Sequence, residues 1–247
     1  MVDLPADAVT VPPRPGASCQ VWQSEGVFFK QHRSARGFAQ EVHALRALTP
    51  ALGSAPRLLG VDEGRRLLRL SAVPGQDADA MDLTEDQRAV IAREAGRWLA
   101  ALHQMPCPQD DPLSVGAAVA RRIEAADAVA AREAFGDGAA FDGLTRCWCH
   151  RDFRPRNWRV TPALEVSILD FEHTRPDLWL VDLVRLDEPV RVAVLEGMGR
   201  RLTPRERDAL TVLRLLDGAQ TLRWGLRHGE RCFIDEGRRV LADARRV

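Results

Sequence analysis

Apolar and polar positions follow two regimes along this chain. Up to about residue 73, short apolar runs are broken by turn residues, with one helical stretch among them. Beyond residue 84 the apolar positions recur mainly every three or four residues. In the first regime, residues 16–22 and 26–30 read as two strands around a turn at 24–26, which puts Lys30 at a strand end. Gly16 to Ser18 lacks the G-x-G-x-x-G pattern and reads as a plain turn. Residues 34–48 predict a helix capped by Ser34, with Phe38, Val42, Leu45 and Leu48 along one face and Glu41 beside it. Leu58 to Val61 and Leu67 to Leu70 predict two more strands around Asp62-Glu63-Gly64, and the second runs into Ser71-Ala72-Val73-Pro74-Gly75.

In the second regime, Thr84-Glu85-Asp86-Gln87 is a capping box that opens a helix with Ile91, Ala95, Trp98, Leu99 and Leu102 as its buried stripe. His103, at the end of that stripe, reads as structural. Residues 115–135 predict one or two helices. Trp158 to Val160 and Val166 to Leu169 flank Thr161-Pro162-Ala163 and predict a hairpin. A second capping box, Thr203 to Glu206 with Pro204 at the first helical position, opens a long helix to about Arg227. Residues 235–246 predict a last, basic helix, and residues 1–15 a loose leader. The expected fold class is α+β.

Composition narrows the function little. With 247 residues, 45% apolar and 28% charged, the chain suits one large domain or two small ones. Net charge is zero, which gives no argument for nucleic acid or an anionic membrane. No apolar run approaches a membrane span, and no signal peptide is legible at the start. Five scattered cysteines suit reduced thiols in a cytoplasm. Cys147-x-Cys149-His150 has no second ligand pair at zinc-like spacing and reads as core thiols. Two singletons are more informative. Lys30 is the only lysine among 35 basic residues, and Asn157 is the only asparagine. A chain that otherwise chooses arginine keeps one ammonium, the compact point charge suited to phosphate oxygens.

The chemistry concentrates between Cys147 and Glu172. His150-Arg151-Asp152 is followed five residues later by Asn157, and thirteen residues after that by Asp170-Phe171-Glu172. Phosphoryl transfer needs a carboxylate to orient an acceptor hydroxyl and hard oxygen ligands to hold magnesium against phosphates. Asp152 suits the first task, and Asn157 with Asp170 the second.

These motifs resemble the catalytic core of the kinase superfamily, where H-R-D-x-x-x-x-N precedes an Asp-Phe motif. The D-F-E form and Pro155 look more like the aminoglycoside phosphotransferase and choline kinase branch. Arg151 stands where that branch usually has glycine, and Arg154 and Arg156 where it has His and Gly. The resemblance implies a bilobal protein-kinase-like fold, with an antiparallel N-terminal lobe over residues 1–73, a hinge at about 71–75 and a mainly helical lobe over 74–247. It implies ATP or GTP as donor and Mg2+ as cofactor, with Lys30 on the phosphates, Glu41 orienting Lys30, and backbone groups of Ser71, Ala72 and Val73 on the purine. It further implies Asp152 as base and Asp182 as a brace for its loop. Arg151, Arg154, Arg156 and Glu172 fall on the acceptor side. So do Asp187, Glu188, Asp217, Arg223 and Trp224 of the late helices, which carry no motif.

Glu172 in place of the glycine of D-F-G, and only eleven residues between Asp170 and Asp182, argue against a protein kinase. The expected activity is a cytoplasmic O-phosphotransferase, monomeric or homodimeric, acting on a small-molecule hydroxyl. An antibiotic of aminoglycoside, nucleoside or macrolide type is the leading acceptor. A metabolite kinase is the second reading and a nucleotide-binding pseudokinase the third, disfavoured by the complete set Lys30, Glu41, Asp152, Asn157 and Asp170.

Overall fold

The computed structural model describes residues 3–13, 16–108 and 113–244. In chain order the strands are β1 Val9–Val11, β2 Cys19–Ser24, β3 Val27–His32, β4 Leu58–Asp62, β5 Leu67–Ser71, β6 Gln76–Asp77, β7 Arg146–Cys149, β8 Trp158–Val160, β9 Val166–Ile168 and β10 Arg175–Leu178. The helices are α1 Ala35–Ala47, α2 Thr49–Leu52, α3 Glu85–Gln104, α4 Val115–Ala126, α5 Val129–Phe135, α6 Glu188–Gly197, α7 Pro204–His228 and α8 Arg231–Ala244. The chain divides into two compact units. One joins Met1–Met105, His150–Arg175 and Glu188–Gly199; the other joins Pro106–Cys149, Pro176–Asp187 and Arg200–Val247.

The first unit is built on a five-stranded antiparallel sheet in the order β1-β2-β3-β5-β4. Glu25 and Gly26 turn β2 into β3 with φ of 45° and 75°, the left-handed pair a tight two-residue hairpin requires. That turn pairs Val21 with Lys30, and β5 pairs Leu68 with Lys30 from the other side, so Lys30 lies on the central strand. The strand runs two residues past Lys30 to His32, further than the sequence suggested. Alternation along β3 puts Phe29 in a small cluster with Leu67, Trp22 and Val27. Lys30 and His32, two residues apart, therefore share the opposite face.

Helix α1 starts at Ser34, whose hydroxyl accepts from Gly37 N–H. Its buried residues are Phe38, Glu41, Ala44 and Leu45, while Val42 is only half-buried. Glu41 thus sits inside the buried stripe and not beside it. Helix α3 keeps its capping box, with Gln87 N–H on Thr84 and Thr84 N–H on Gln87. It crosses α6 backbone to backbone, since a Cβ at Gly96 would lie 2.2 Å from the Val194 carbonyl oxygen, and one at Gly197 2.0 Å from that of Arg93. Strands β8 and β9 form the hairpin read from the sequence, pairing Trp158 with Ile168 and Val160 with Val166. β6 adds to β8 as a third strand.

The second unit is mainly helical. α4 and α5 are separated at Asp127, which takes a left-handed conformation, and α5 ends at Gly136. Thr203 and Glu206 cap α7 reciprocally. α7 and α8 approach closely at glycines; a Cβ at Gly237 would meet Leu222 N at 2.5 Å and one at Gly225 would meet Ile234 N at 2.7 Å. β7 pairs with β10, and the buried Cys149 thiol donates to the Asp177 carbonyl. Burial pushes that thiol well above the ordinary cysteine value.

Several short elements were not legible beforehand. β1 falls within the predicted leader, α2, β6, β7, β10 and α6 had no prediction, and α8 begins four residues earlier than expected. Positions 1, 2, 14 and 15 of the predicted leader, and 245 and 246 of the predicted last helix, lie outside the described residues. No helix among the described residues is long and apolar enough to cross a membrane.

Candidate active site

All five residues of the predicted chemistry fall in the first unit. The Lys30 ammonium, 7% exposed, lies 2.7 Å from Asp170 Oδ1 and 2.7 Å from Glu41 Oε2. Glu41 closes the arrangement on its other oxygen, where Oε1 accepts from the Phe171 N–H at 3.3 Å. One carboxylate from α1 therefore holds both the ammonium on β3 and the backbone of the Asp170-Phe171-Glu172 segment. Burial disfavours each of these charges alone, and their mutual attraction reverses the sign. Burial would lower the Lys30 ammonium, but Asp170 and Glu41 hold it well above the ordinary lysine value. Burial would raise the Glu41 and Asp170 carboxyls, but Lys30 holds both below the usual carboxylate range, with His32 helping at Glu41. Nearby Cys19 is half-buried, and desolvation, with the surrounding carboxylates adding to it and Lys30 opposing, pushes its thiol up to about 11.

Asp170 itself sits at φ 69°, a left-handed conformation rare outside glycine. Strand β9 delivers it there, because Leu169 N–H donates to the Asn157 carbonyl across the hairpin mouth at 2.9 Å. Asn157 and Asp170 are thereby held at the two ends of one hairpin.

The Asp152 loop rests on aromatic rings. Trp98 of α3 stacks on Phe153 at 6.4 Å and meets His150 and Phe171 edge-on at 6.3 and 6.0 Å. His150 is fully buried, with Nε2 2.9 Å from the Leu169 carbonyl and Nδ1 3.4 Å from the Asp152 amide. A ring nitrogen facing a carbonyl must carry the proton, so Nε2 donates and Nδ1 accepts. His150 is thereby a shaping residue that joins the Asp152 loop to the Asp170 strand. Arg151 beside it has φ 68°, which explains why a residue without a side chain would sit there at no backbone cost.

Asp152 is 4% exposed and its carboxylate is heavily engaged. Asn157 Nδ2 donates to Oδ2 at 2.8 Å and to the Asp152 carbonyl at 2.9 Å. Arg154 Nε donates to Oδ1 at 2.9 Å and Arg156 to Oδ2 at 3.0 Å. The two arginines, predicted on the acceptor side, therefore orient the carboxylate of Asp152. Because Asn157 spends its side-chain nitrogen Nδ2 on Asp152, its side-chain oxygen Oδ1 is the atom that can serve as a hard donor. Together with the Asp170 carboxylate this oxygen set fits a magnesium ion.

Glu172 is a correction. It was expected toward an acceptor, yet it is 6% exposed and turned to the sheet. Both its oxygens take the Ser18 hydroxyl at 2.6 Å, and they lie 3.5 Å from His32 Nδ1 and 3.3 Å from His173 Nε2. Sequence reasoning missed His32 and Ser18. The signal was present in Lys30-Gln31-His32 and Asp170-Phe171-Glu172, two pairs with the same spacing of two.

Among the proposed purine-edge residues, Ser71 N–H donates to the Arg57 carbonyl and Ala72 N–H to that of Gly26, both within the sheet region. Val73 is half-buried just beyond. In the second unit, Asp187 pairs with Arg239 at 2.7 Å, and Asp217 takes Arg185 through Nε and a terminal nitrogen. Arg223 donates to the Ala125 carbonyl, and Trp224 stacks on His228 and packs against Phe233. Asp182 is buried in the turn at Trp179–Leu183.

The geometry agrees with what the chain is similar to. A family model described as "Phosphotransferase enzyme family" (APH) matches residues 12–223. Among solved structures, the GDP and kanamycin complex of the aminoglycoside phosphotransferase APH(2")-IIIa superposes with a TM-score of 0.78 at 16% identity, over 97% of this chain and 93% of that one. A choline/ethanolamine kinase family protein from Mesorhizobium loti gives 0.67 at 17% identity, over 97% and 87%. The macrolide 2'-phosphotransferase MphH from Brachybacterium faecium gives 0.65 at 16% identity, over 95% and 91%. A search of curated proteins by sequence finds no match. At such identities the solved structures establish the fold, which is protein-kinase-like, and the family model establishes kinship. The chain belongs to the phosphotransferase enzyme family and is a phosphotransferase with a hydroxyl group as acceptor.

Proposed function

We propose that this protein transfers the terminal phosphoryl group of ATP or GTP to a hydroxyl of a small molecule, and that the molecule is an antibiotic. The observation that carries the reading is the joint placement of Lys30, Glu41 and Asp170 at 2.7 Å with Asp152 bonded to Asn157 in the same unit. In this reading the acceptor oxygen attacks the terminal phosphorus, an O–P bond forms, and the bridging P–O bond to the nucleoside diphosphate breaks. Asp152 orients the hydroxyl and takes its proton. Lys30 leaves its carboxylate partners in part to bind phosphate oxygens. Asp170 and the Asn157 side-chain oxygen Oδ1 would hold magnesium, which when bound neutralises charge on the phosphates. The purine lies against Ser71 to Val73, through carbonyl groups and Val73, since the Ser71 and Ala72 N–H groups are already used in the sheet. A lobe boundary near residues 71–75 belongs to the same proposal.

Support for an antibiotic acceptor comes from the fold relatives, whose structures include kanamycin, gentamicin and macrolide phosphotransferase names, with GDP and ATP both represented as nucleotides. Arg154 and Arg156 put two positive charges against Asp152, so a neutral or anionic acceptor such as a nucleoside antibiotic suits the loop as well as a cationic aminosugar. Asp187 and Trp224 remain acceptor-side candidates in the second unit. A metabolite kinase is the second reading, favoured by the choline/ethanolamine kinase neighbour. A cytoplasmic location fits the use of nucleoside triphosphate and five cysteines that form no disulfide.

The test is magnesium-dependent phosphate transfer from ATP and from GTP, across one panel of antibiotics and one of sugars, amino alcohols and amino acids. Transfer to an antibiotic is the expected result. Transfer to metabolites alone would replace the antibiotic reading with the second one.

A further inference from the structure

We infer that His32 is a positioning residue for the magnesium-binding segment, acting through Glu41 and Glu172; the inference rests on the phosphotransfer reading of this site. Strand β3 presents Lys30 and His32 on one face, and the Asp170-Phe171-Glu172 segment presents two carboxylates at the same spacing. The result is a ladder with two rungs. Lys30 reaches Asp170 at 2.7 Å, and His32 reaches Glu172 with Nδ1 at 3.5 Å. Glu41 Oε2 stands between them, 2.7 Å from the ammonium and 2.7 Å from His32 Nε2. His32, Glu41 and Glu172 are all buried, at 2%, 2% and 6% exposure. Buried polar groups that face one another hold a fixed geometry, because separating them leaves each unsatisfied away from water.

Two further contacts fix the second rung. The His32 ring meets Phe38 edge-on at 6.0 Å, and Gly37 leaves the space beside it open enough that a Cβ there would touch Nδ1 at 3.5 Å. Ser18 holds Glu172 from the other side, and its own carbonyl accepts from the Arg33 N–H beyond the end of β3. Glu172 is thus pinned between the turn before β2 and the end of β3. Lys30 must give up part of its hold on Asp170 when phosphates arrive. The His32 rung engages Glu41 and Glu172 while Asp170 is held by Lys30, so it keeps the segment in register while the first rung opens. An adjacent cation is not required to explain the cluster of His32, Glu41 and Glu172, since the Lys30 ammonium already lies on the same Glu41 oxygen.

The experiment is calorimetric titration of the full chain with two non-hydrolysable nucleotides, AMP-PNP and GMP-PNP, each with magnesium and with EDTA. His32→Ala is expected to weaken magnesium-dependent binding about tenfold or more, in the range found when partners behind a metal ligand are removed. Binding in EDTA is expected to change less than about twofold. His32→Gln, whose amide reaches Glu41, is expected to recover most of the loss. The double variant His32→Ala with Glu172→Ala is expected to lose less than the product of the single losses, as for two residues of one network. If His32→Ala unfolds, His32→Gln and Glu172→Gln carry the same comparison. Equal losses with magnesium and with EDTA, or none, would overturn the inference. Lys30→Ala separates the positioning role of His32 from the phosphotransfer reading. If it too leaves magnesium–nucleotide binding intact, the phosphotransfer reading fails; if only the His32 variants do, that reading stands and the positioning role fails.

Discussion

The Lys30 ammonium and the Asp170 carboxylate, 140 positions apart in sequence, lie 2.7 Å from each other. Glu41 completes a triad in which one cation serves two anions, and the second anion also holds a backbone N–H of the same segment. Three distant parts of the chain, β3, α1 and the segment after β9, are therefore joined at a single ammonium.

Lysine and arginine differ at such a place. A guanidinium is broad and planar, and Lys30 is closely enclosed at 7% exposure between β2 and β5. Lys30→Arg and Lys30→Ala are both expected to lower kcat/KM for nucleotide by about 10²–10³-fold, the loss typical of one stabilising donor. Steady-state kinetics on the variants tests this. An arginine variant with near-normal rates would show that any cation suffices, and that the single lysine has no chemical reason.

The arginines on Asp152 are expected to act unequally. Arg154 is buried and donates through Nε, whereas the Arg156 side chain is 31% exposed. Removing Arg154 lets the carboxylate rotate, and Arg154→Ala should lower kcat by about 10²-fold through misplacement alone. Arg156→Ala should cost less than about tenfold, as exposed pairs usually do. Nucleotide KM should hardly move in either. A larger loss at Arg156, confined to one acceptor, would instead assign that residue to acceptor binding.

Acid and alkali should unpick the triad from opposite sides. Glu41 and Asp170 have folded values below their unfolded ones, so their contribution is present above about pH 4 and is lost as pH falls through the folded values. Lys30 is raised, so its contribution is full below about pH 10.4 and is lost as pH rises through its folded value. Urea unfolding across pH reads both limbs. In Lys30→Met the acid limb should be shallower, because the cation that depresses the two carboxyls is gone. An unchanged acid slope would contradict the assigned cause.

Gly75 stands at the segment read as the hinge and has φ +99°. A Cβ there would lie 2.4 Å from the carbonyl carbon and oxygen of Val160, so β6 could not stay beside β8. Gly75→Ala is expected to destabilise by at least about 2 kcal/mol, from the backbone conformation and the clash together. Thermal unfolding decides it, and a variant as stable as the parent would mean that this segment moves freely from β8.

Local signals made much of this legible from residue order. Both capping boxes, the β8–β9 hairpin and the strand carrying Lys30 are announced within a few residues of themselves. Elements that exist only through distant partners were not. β1 is three residues long and forms because β2 offers an edge, and β6 has two residues and exists only on β8. α6 lies against α3 through Gly96 and Gly197, a fit of surfaces that neither segment shows alone. At the site, residue types and spacings marked Lys30, Asp152, Asn157 and Asp170. The direction in which Glu172 points depends on Ser18 and His32, and no spacing within its own segment could reveal that. The arginines looked available to an acceptor because their partner is a fold-back contact onto Asp152 two and four residues earlier.

In the proposed reaction Asp152 orients and deprotonates an acceptor hydroxyl beside a nucleotide held by Lys30 and Asp170. The most direct measurement of this pairs single-turnover phosphate transfer with nucleotide binding in Asp152→Asn, using whichever acceptor the wild-type protein phosphorylates. The expected result is a rate loss of about 10²–10⁴-fold with magnesium–nucleotide affinity unchanged. A variant that transfers phosphate at the wild-type rate would contradict it.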